Sequence, residues 1–193
     1  MPAAFPSTTV TSMPGSIPSA DSGGSPARRA VLFGLLGAAM FAAKLAMAGL
    51  PNIEPVSLCV MLLAVCFGWR GLYAVYVYVF LEIALWGMGL WSLAYLYMWL
   101  ILFCLARLLR RRTSPLAWAT LSGCFGLLFG GLCAPVYWIA GGWAAGFSWW
   151  INGIPMDLLH GAGNFTLAFA LFRPLRRLMD GLARRFYGPH AAG

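Results

Sequence analysis

Apolar residues in this chain do not alternate with polar ones. They run on for many positions and stop at short breaks that carry proline, glycine or arginine. The runs fall at 30–49, 55–68, 72–86, 90–108, about 115–135 and 155–172, and each predicts a helix. A helix rises about 1.5 Å per residue, so about 20 apolar residues cross a bilayer core. Leu50-Pro51-Asn52-Ile53-Glu54-Pro55 places two prolines around an Asn and a Glu, which reads as a turn that opens a helix at Pro55. Gly87-Met88-Gly89 marks a second turn. Residues 136–151 are rich in Trp and Gly, as suits a membrane interface. They fit a continuation of the fifth run, a re-entrant piece or a surface helix.

Composition turns these runs into a class. Of 193 residues, 61% are hydrophobic and 9% are charged, against about 25% charged in an ordinary soluble domain. The expectation is an all-α integral membrane protein, a bundle of six transmembrane helices. A membrane β-barrel needs short alternating segments, which are absent from the sequence. Residues 1–27 are Ser/Pro-rich and predict a disordered cytoplasmic tail; 28–178 form the transmembrane domain and 179–193 a basic cytoplasmic tail. Cys59, Cys66, Cys104, Cys124 and Cys133 all lie in apolar runs without C-x-x-C spacing, so they read as small buried residues rather than disulfides or metal ligands.

The formal charge of +8 is distributed in a pattern. With six spans, Arg28, Arg29, Arg70, Arg107, Arg110 to Arg112 and the arginines of 173–185 all fall on one side. The positive-inside rule then puts both termini in the cytoplasm and the protein in the cell membrane. A seventh span over 136–151 would send the C-terminal arginines outside. Read this way, the charge reports topology and gives no reason to expect nucleic acid.

The polar residues inside the apolar runs are the candidate chemistry. On a helix Asp157, His160, Gly161 and Asn164 share one face. Glu82 lies one turn inside the outer end of the third run, and polar groups at such depth mostly face a cavity or the bundle interior. With Asn52 and Glu54 these groups converge on the outer half among aromatic residues, as in a small-molecule pocket. Each has a plainer alternative. Glu54 and Asp157 can serve helix starts, His160 can bond a neighbouring helix, and Lys44 can snorkel or pair with a carboxylate. Gly34, Ala38, Ala42 and Ala46 form a ladder of small residues on the first helix, suited either to packing within the bundle or to docking another protein. The sequence has no G-x-x-x-x-G-K-[ST] phosphate loop, no H-E-x-x-H and no G-x-S-x-G, and it points to no metal, cofactor or catalytic centre.

Three stretches resemble a known family. They are 50–56 after the Ala-x-x-x-Ala of the first helix; Arg70-Gly71-Leu72-Tyr73-Ala74-Val75-Tyr76-Val77 through Leu81-Glu82; and Gly153-Ile154-Pro155-Met156-Asp157-Leu158-Leu159-His160-Gly161-Ala162-Gly163-Asn164-Phe165, closing at Phe172-Arg173-Pro174. Together they resemble the substrate-binding S components of energy-coupling factor (ECF) transporters, the vitamin-uptake branch of ABC importers, in a group of uncharacterised substrate. The resemblance implies six membrane helices and a vitamin-like or other small micronutrient bound near the outer face. It also implies partnership with a transmembrane coupling protein and two ATPase subunits, and it carries the docking face over to Ala38 and Ala42. On this reading Asn52, Glu54, Glu82, Asp157, His160 and Asn164 hold or support the ligand, and the chain itself is no enzyme. The alternatives are a self-contained proton-coupled carrier using Glu82, Asp157 and His160, and an intramembrane enzyme. The Ser/Pro-rich leader departs from the family's compact pattern.

Overall fold

Helix start signals set the frame. In the computed structural model, which describes residues 25–50 and 52–188, the Ser25 hydroxyl accepts from the Arg28 N–H at 3.4 Å and Pro26 opens α1 (Pro26–Ala46). The expected tail over 1–27 lies outside the described residues up to position 24, as do 189–193 of the basic tail. Then come α2 (Val56–Phe67), a 3-10 turn (Gly68–Gly71), α3 (Leu72–Trp86), α4 (Leu90–Leu108), α5 (Pro115–Leu127) and α6 (Phe129–Tyr187). The described residues contain no strand. Four helical stretches are long and apolar enough to cross a membrane: α1, α4, the continuous pieces α2–α3 (Val56–Trp86) and α5–α6 (Pro115–Tyr187). This is an all-helical chain compatible with a multi-pass membrane protein.

Side-chain contacts give the directions. Phe33 near the start of α1 meets Phe67 and Tyr73, whereas Lys44 near its end meets Tyr78 and Glu82. So α1 and α3 run parallel, and α2 returns between them. Every residue of α2 except Cys59 is buried, which makes it the central helix. α4 runs back: Tyr95 lies under Lys44 near its start, and Arg107 near its end donates to the Ala64 carbonyl at 3.2 Å. α5 pairs along α6, from Trp118 stacked on Phe172 to Gly126 against Gly161. The outside stays apolar, with Phe80 68%, Leu108 78% and Ile139 89% exposed.

Residues 136–151 form no helix of their own: they belong to the two limbs of α6 on either side of a break. The helix begun at Phe129 continues to Gly141 and breaks at Gly142, whose φ of 78° favours glycine. There the chain reverses, as Tyr137 stacked on Trp149 at 3.9 Å shows. The returning limb, 143–187, stays helical through Pro155 and Pro174. At about 1.5 Å per residue it is about 67 Å long, more than a bilayer requires. Its Arg-rich end packs on the bundle through Met179, Leu182, Phe186 and Tyr187.

Candidate functional site

The folded helices sort the charges by end. The arginines gather where α1 begins, where α3 and α5 begin and where α4 and α6 end: Arg29 and Arg70 both meet Tyr187, and Arg176 donates to the Arg112 carbonyl. Lys44, the sole lysine among 13 Lys and Arg, lies at the opposite end. Glu54, Glu82 and Asp157 lie there with it.

Lys44 links two of those carboxylates. Its Nζ donates to Glu82 Oε2 at 2.9 Å and sits 3.4 Å from Glu54 Oε2. It also lies 3.4 Å from the Tyr78 hydroxyl and over the ring of Tyr95 at 5.5 Å. The Glu82 side chain is 2% exposed and its Oε1 has no partner. Glu54 does not cap α2, whose N-cap is Pro55. Its carboxyl is held above the ordinary range because burial disfavours the charged form, an effect that Lys44 partly offsets. With both carboxyls ionised the trio carries a net charge of −1, unfavourable for a dry site unless a proton or a cationic group joins it.

The trio opens into a cavity of about 570 Å³ walled by Trp86, Trp91 and Tyr95, with the loop residues Met47, Leu50 and Asn52 also lining it. Asn52 belongs to that loop and adopts φ 55°, a conformation asparagine tolerates better than most residues. Its side-chain amide donates to the Met156 carbonyl at 3.0 Å and ties the loop to α6. Asn52 also lines a second cavity of about 620 Å³, whose walls include Asp157, Asn152, Tyr137 and Trp149. Asn52 thus separates two neighbouring hollows.

Asp157, on the returning limb of α6, serves the start of α6 at Phe129 and not the start of its own limb. The break at Leu128 leaves first-turn N–H groups without intrahelical partners. The Gly130 N–H donates to both Asp157 oxygens at 3.0 and 3.1 Å. A Cβ on residue 130 would lie 2.5 Å from that carboxylate, so only glycine permits the approach. His160 and Asn164 share the buried face predicted for them but line neither cavity. The His160 ring lies 4.6 Å from Phe129, with Nε2 unpartnered. The Asn164 amide donates to the Ser57 hydroxyl at 3.0 Å, deep between α2 and α6. The six predicted residues therefore separate into Glu54 and Glu82 on one cavity, Asp157 on the other, Asn52 on both, and two groups beneath.

Three contributors lie outside the six predicted residues. Lys44, expected either to snorkel or to pair with a carboxylate, pairs with two. Ser57 and Tyr95 gave no signal, because the Ser57 hydroxyl and the Tyr95 ring meet Asn164 and Lys44 only once helices pack. Three members of the small-residue ladder point away from the bundle: Ala38, Ala42 and Ala46 are exposed and Gly34 is half-buried, while Leu32, Phe33, Gly37 and Met40 face inward. Packing within the bundle does not use those three.

No family model, curated protein or solved structure matches the chain.

Proposed function

We propose that this protein is the substrate-binding subunit of an ECF-type importer, with six membrane spans and both termini in the cytoplasm of a cell whose plasma membrane it occupies. The reading rests above all on the Lys44–Glu54–Glu82 trio opening into an aromatic-walled cavity at the end without arginines. By the positive-inside rule that end faces outward, where an importer captures its substrate. The unpaired acid and the Trp and Tyr walls suit a small, partly flat molecule that carries an amine or hydroxyl donors. Two further features support the reading. The Ala38–Ala42 face is free for a coupling protein. The sequence has no phosphate loop, so ATP hydrolysis falls to two partner subunits.

Reconstitution separates this from a self-contained carrier. The purified protein alone in liposomes should bind its ligand without ATP and accumulate none of it along a pH gradient. Uptake should appear only when the coupling protein and the ATPases are added. Accumulation by the protein alone along a pH gradient would make it a proton-coupled carrier and contradict the proposal.

A further inference from the structure

At the arginine-rich end, Arg29 on α1 and Arg70 before α3 both address the ring of Tyr187 at the end of α6. Their guanidinium carbons lie 5.0 and 4.7 Å from its centroid. The two cations are thus within about 10 Å of each other, and among the described residues neither has an acidic partner. Arg29 Nε and the Tyr187 hydroxyl are buried with nothing to bond. Two like charges and two orphaned donors around one ring are costly unless an anion satisfies them.

These groups line a cavity of about 520 Å³ together with Phe33 and Gly34. A second groove of about 610 Å³ shares Arg70, Tyr73 and Val77 with it and runs along α3 to Phe80. Arg70 to Phe80 covers about 15 Å of helix. The Phe80 end of the groove is apolar, and Tyr73 and Phe80 are each 68% exposed. Cationic donors at one end of a greasy rail match a phosphate carrying an acyl chain better than a soluble anion, which would leave the rail bare.

We infer that this is a binding site for one anionic phospholipid, with its phosphate between Arg29 and Arg70 and an acyl chain along α3. The site holds the starts of α1 and α3 to the end of α6. It requires only that the arginine-rich end lie at headgroup level, so it stands apart from the identity of the imported ligand.

Native mass spectrometry of the full-length protein in neutral detergent tests it, with phosphatidylglycerol set against phosphatidylcholine of the same chains. Wild type should retain one phosphatidylglycerol at least about tenfold better. Arg29→Gln and Arg70→Gln should each weaken retention roughly fivefold, the worth of about 1 kcal/mol per interfacial charge. The Arg29→Lys/Arg70→Lys double variant keeps both charges and should retain most of the binding, which separates site loss from misfolding. Arg184→Gln and Arg185→Gln, outside the cavity, should change nothing. Millimolar inorganic phosphate or deacylated glycerophosphoglycerol should not displace the lipid. Equal retention of the two lipids, wild-type retention in the Gln variants, or displacement by inorganic phosphate would overturn the inference; the last outcome would assign the site to free phosphate.

Discussion

Lys44 donates to Glu82 across 38 positions of sequence, and this contact of 2.9 Å joins two parallel helices at the end away from the arginines. Glu82 is buried, and among the described residues Lys44 is its one ion-pair partner. Removing one member of such a pair leaves an uncompensated buried charge, which costs about 3–5 kcal/mol. Lys44→Met should therefore destabilise the protein by about 3 kcal/mol, the low end because Lys44 is partly exposed. Adding Glu82→Gln should recover more than half of the loss. Thermal unfolding of the purified variants in one detergent reads both effects.

Glu54 sets a trade-off between stability and binding. Its carboxyl titrates above the ordinary range in the folded protein, whereas the unfolded chain titrates near about 4.3. Between those values the folded state holds the extra proton. The group's stabilising contribution is thus full below the unfolded value and is lost as pH rises through the folded one. Glu54→Gln should remove that dependence and raise the melting temperature at neutral pH, while weakening a cationic ligand about tenfold or more. Melting curves from the acidic to the neutral range, together with a binding isotherm, test the two halves separately.

The α5–α6 contact depends on small residues. A Cβ on Gly126 would lie 2.9 Å from the backbone of Gly161, where neither side can yield cheaply. Gly126→Ala should cost about 1–3 kcal/mol, as overpacking does. A Cβ on Gly181, in α6, meets nothing within 4 Å, and Gly181→Ala should stabilise by up to about 1 kcal/mol. Opposite signs of the two melting shifts are the expected outcome.

His160 and Asn164 lie under the cavities, so their loss should act through the fold. Asn164→Ala strands the Ser57 hydroxyl, which is fully buried, and should cost about 1–3 kcal/mol. His160→Phe replaces a ring with an orphan nitrogen by one without it and should be tolerated. Ligand affinity should change less than about threefold in each variant that remains folded; isothermal titration checks this.

The outward face of α1 should matter only with partners present. Ala38→Leu and Ala42→Leu add bulk where nothing in this chain packs, so melting temperature and ligand affinity should stay as in wild type. Co-purification with a coupling protein, and uptake with it, should be lost. Unimpaired uptake would move the docking face elsewhere.

Much of the fold is legible because proline, glycine and arginine interrupt the apolar runs. The predicted runs 72–86 and 90–108 coincide with α3 and α4. The last third is less legible. Pro155 reads as a helix start, yet the returning limb of α6 passes through it without a break; apolar surroundings tolerate helical proline because neighbouring groups satisfy the freed carbonyls. Gly142 makes the reversal but looks no different in sequence from the pair Gly130-Gly131, which stays helical. In the site, Glu82 was visible as a carboxylate in an apolar run. The partner of Asp157 was not, since a backbone N–H 27 residues away leaves no trace in a side-chain pattern. Lys44 was visible as an anomaly, but its pairing with both Glu54 and Glu82 required three elements to meet.

The central claim is that the cavity beside Lys44, Glu54 and Glu82 captures a small molecule. The most direct measurement is mass spectrometry of what leaves the denatured protein after isolation from its native membrane, with Glu54→Gln purified in parallel. The account predicts one small molecule with an amine or hydroxyl donors, near one per protein chain in wild type and strongly depleted in a Glu54→Gln protein that melts no lower than wild type. The same molecule at equal occupancy in both proteins, or none in wild type, would contradict it.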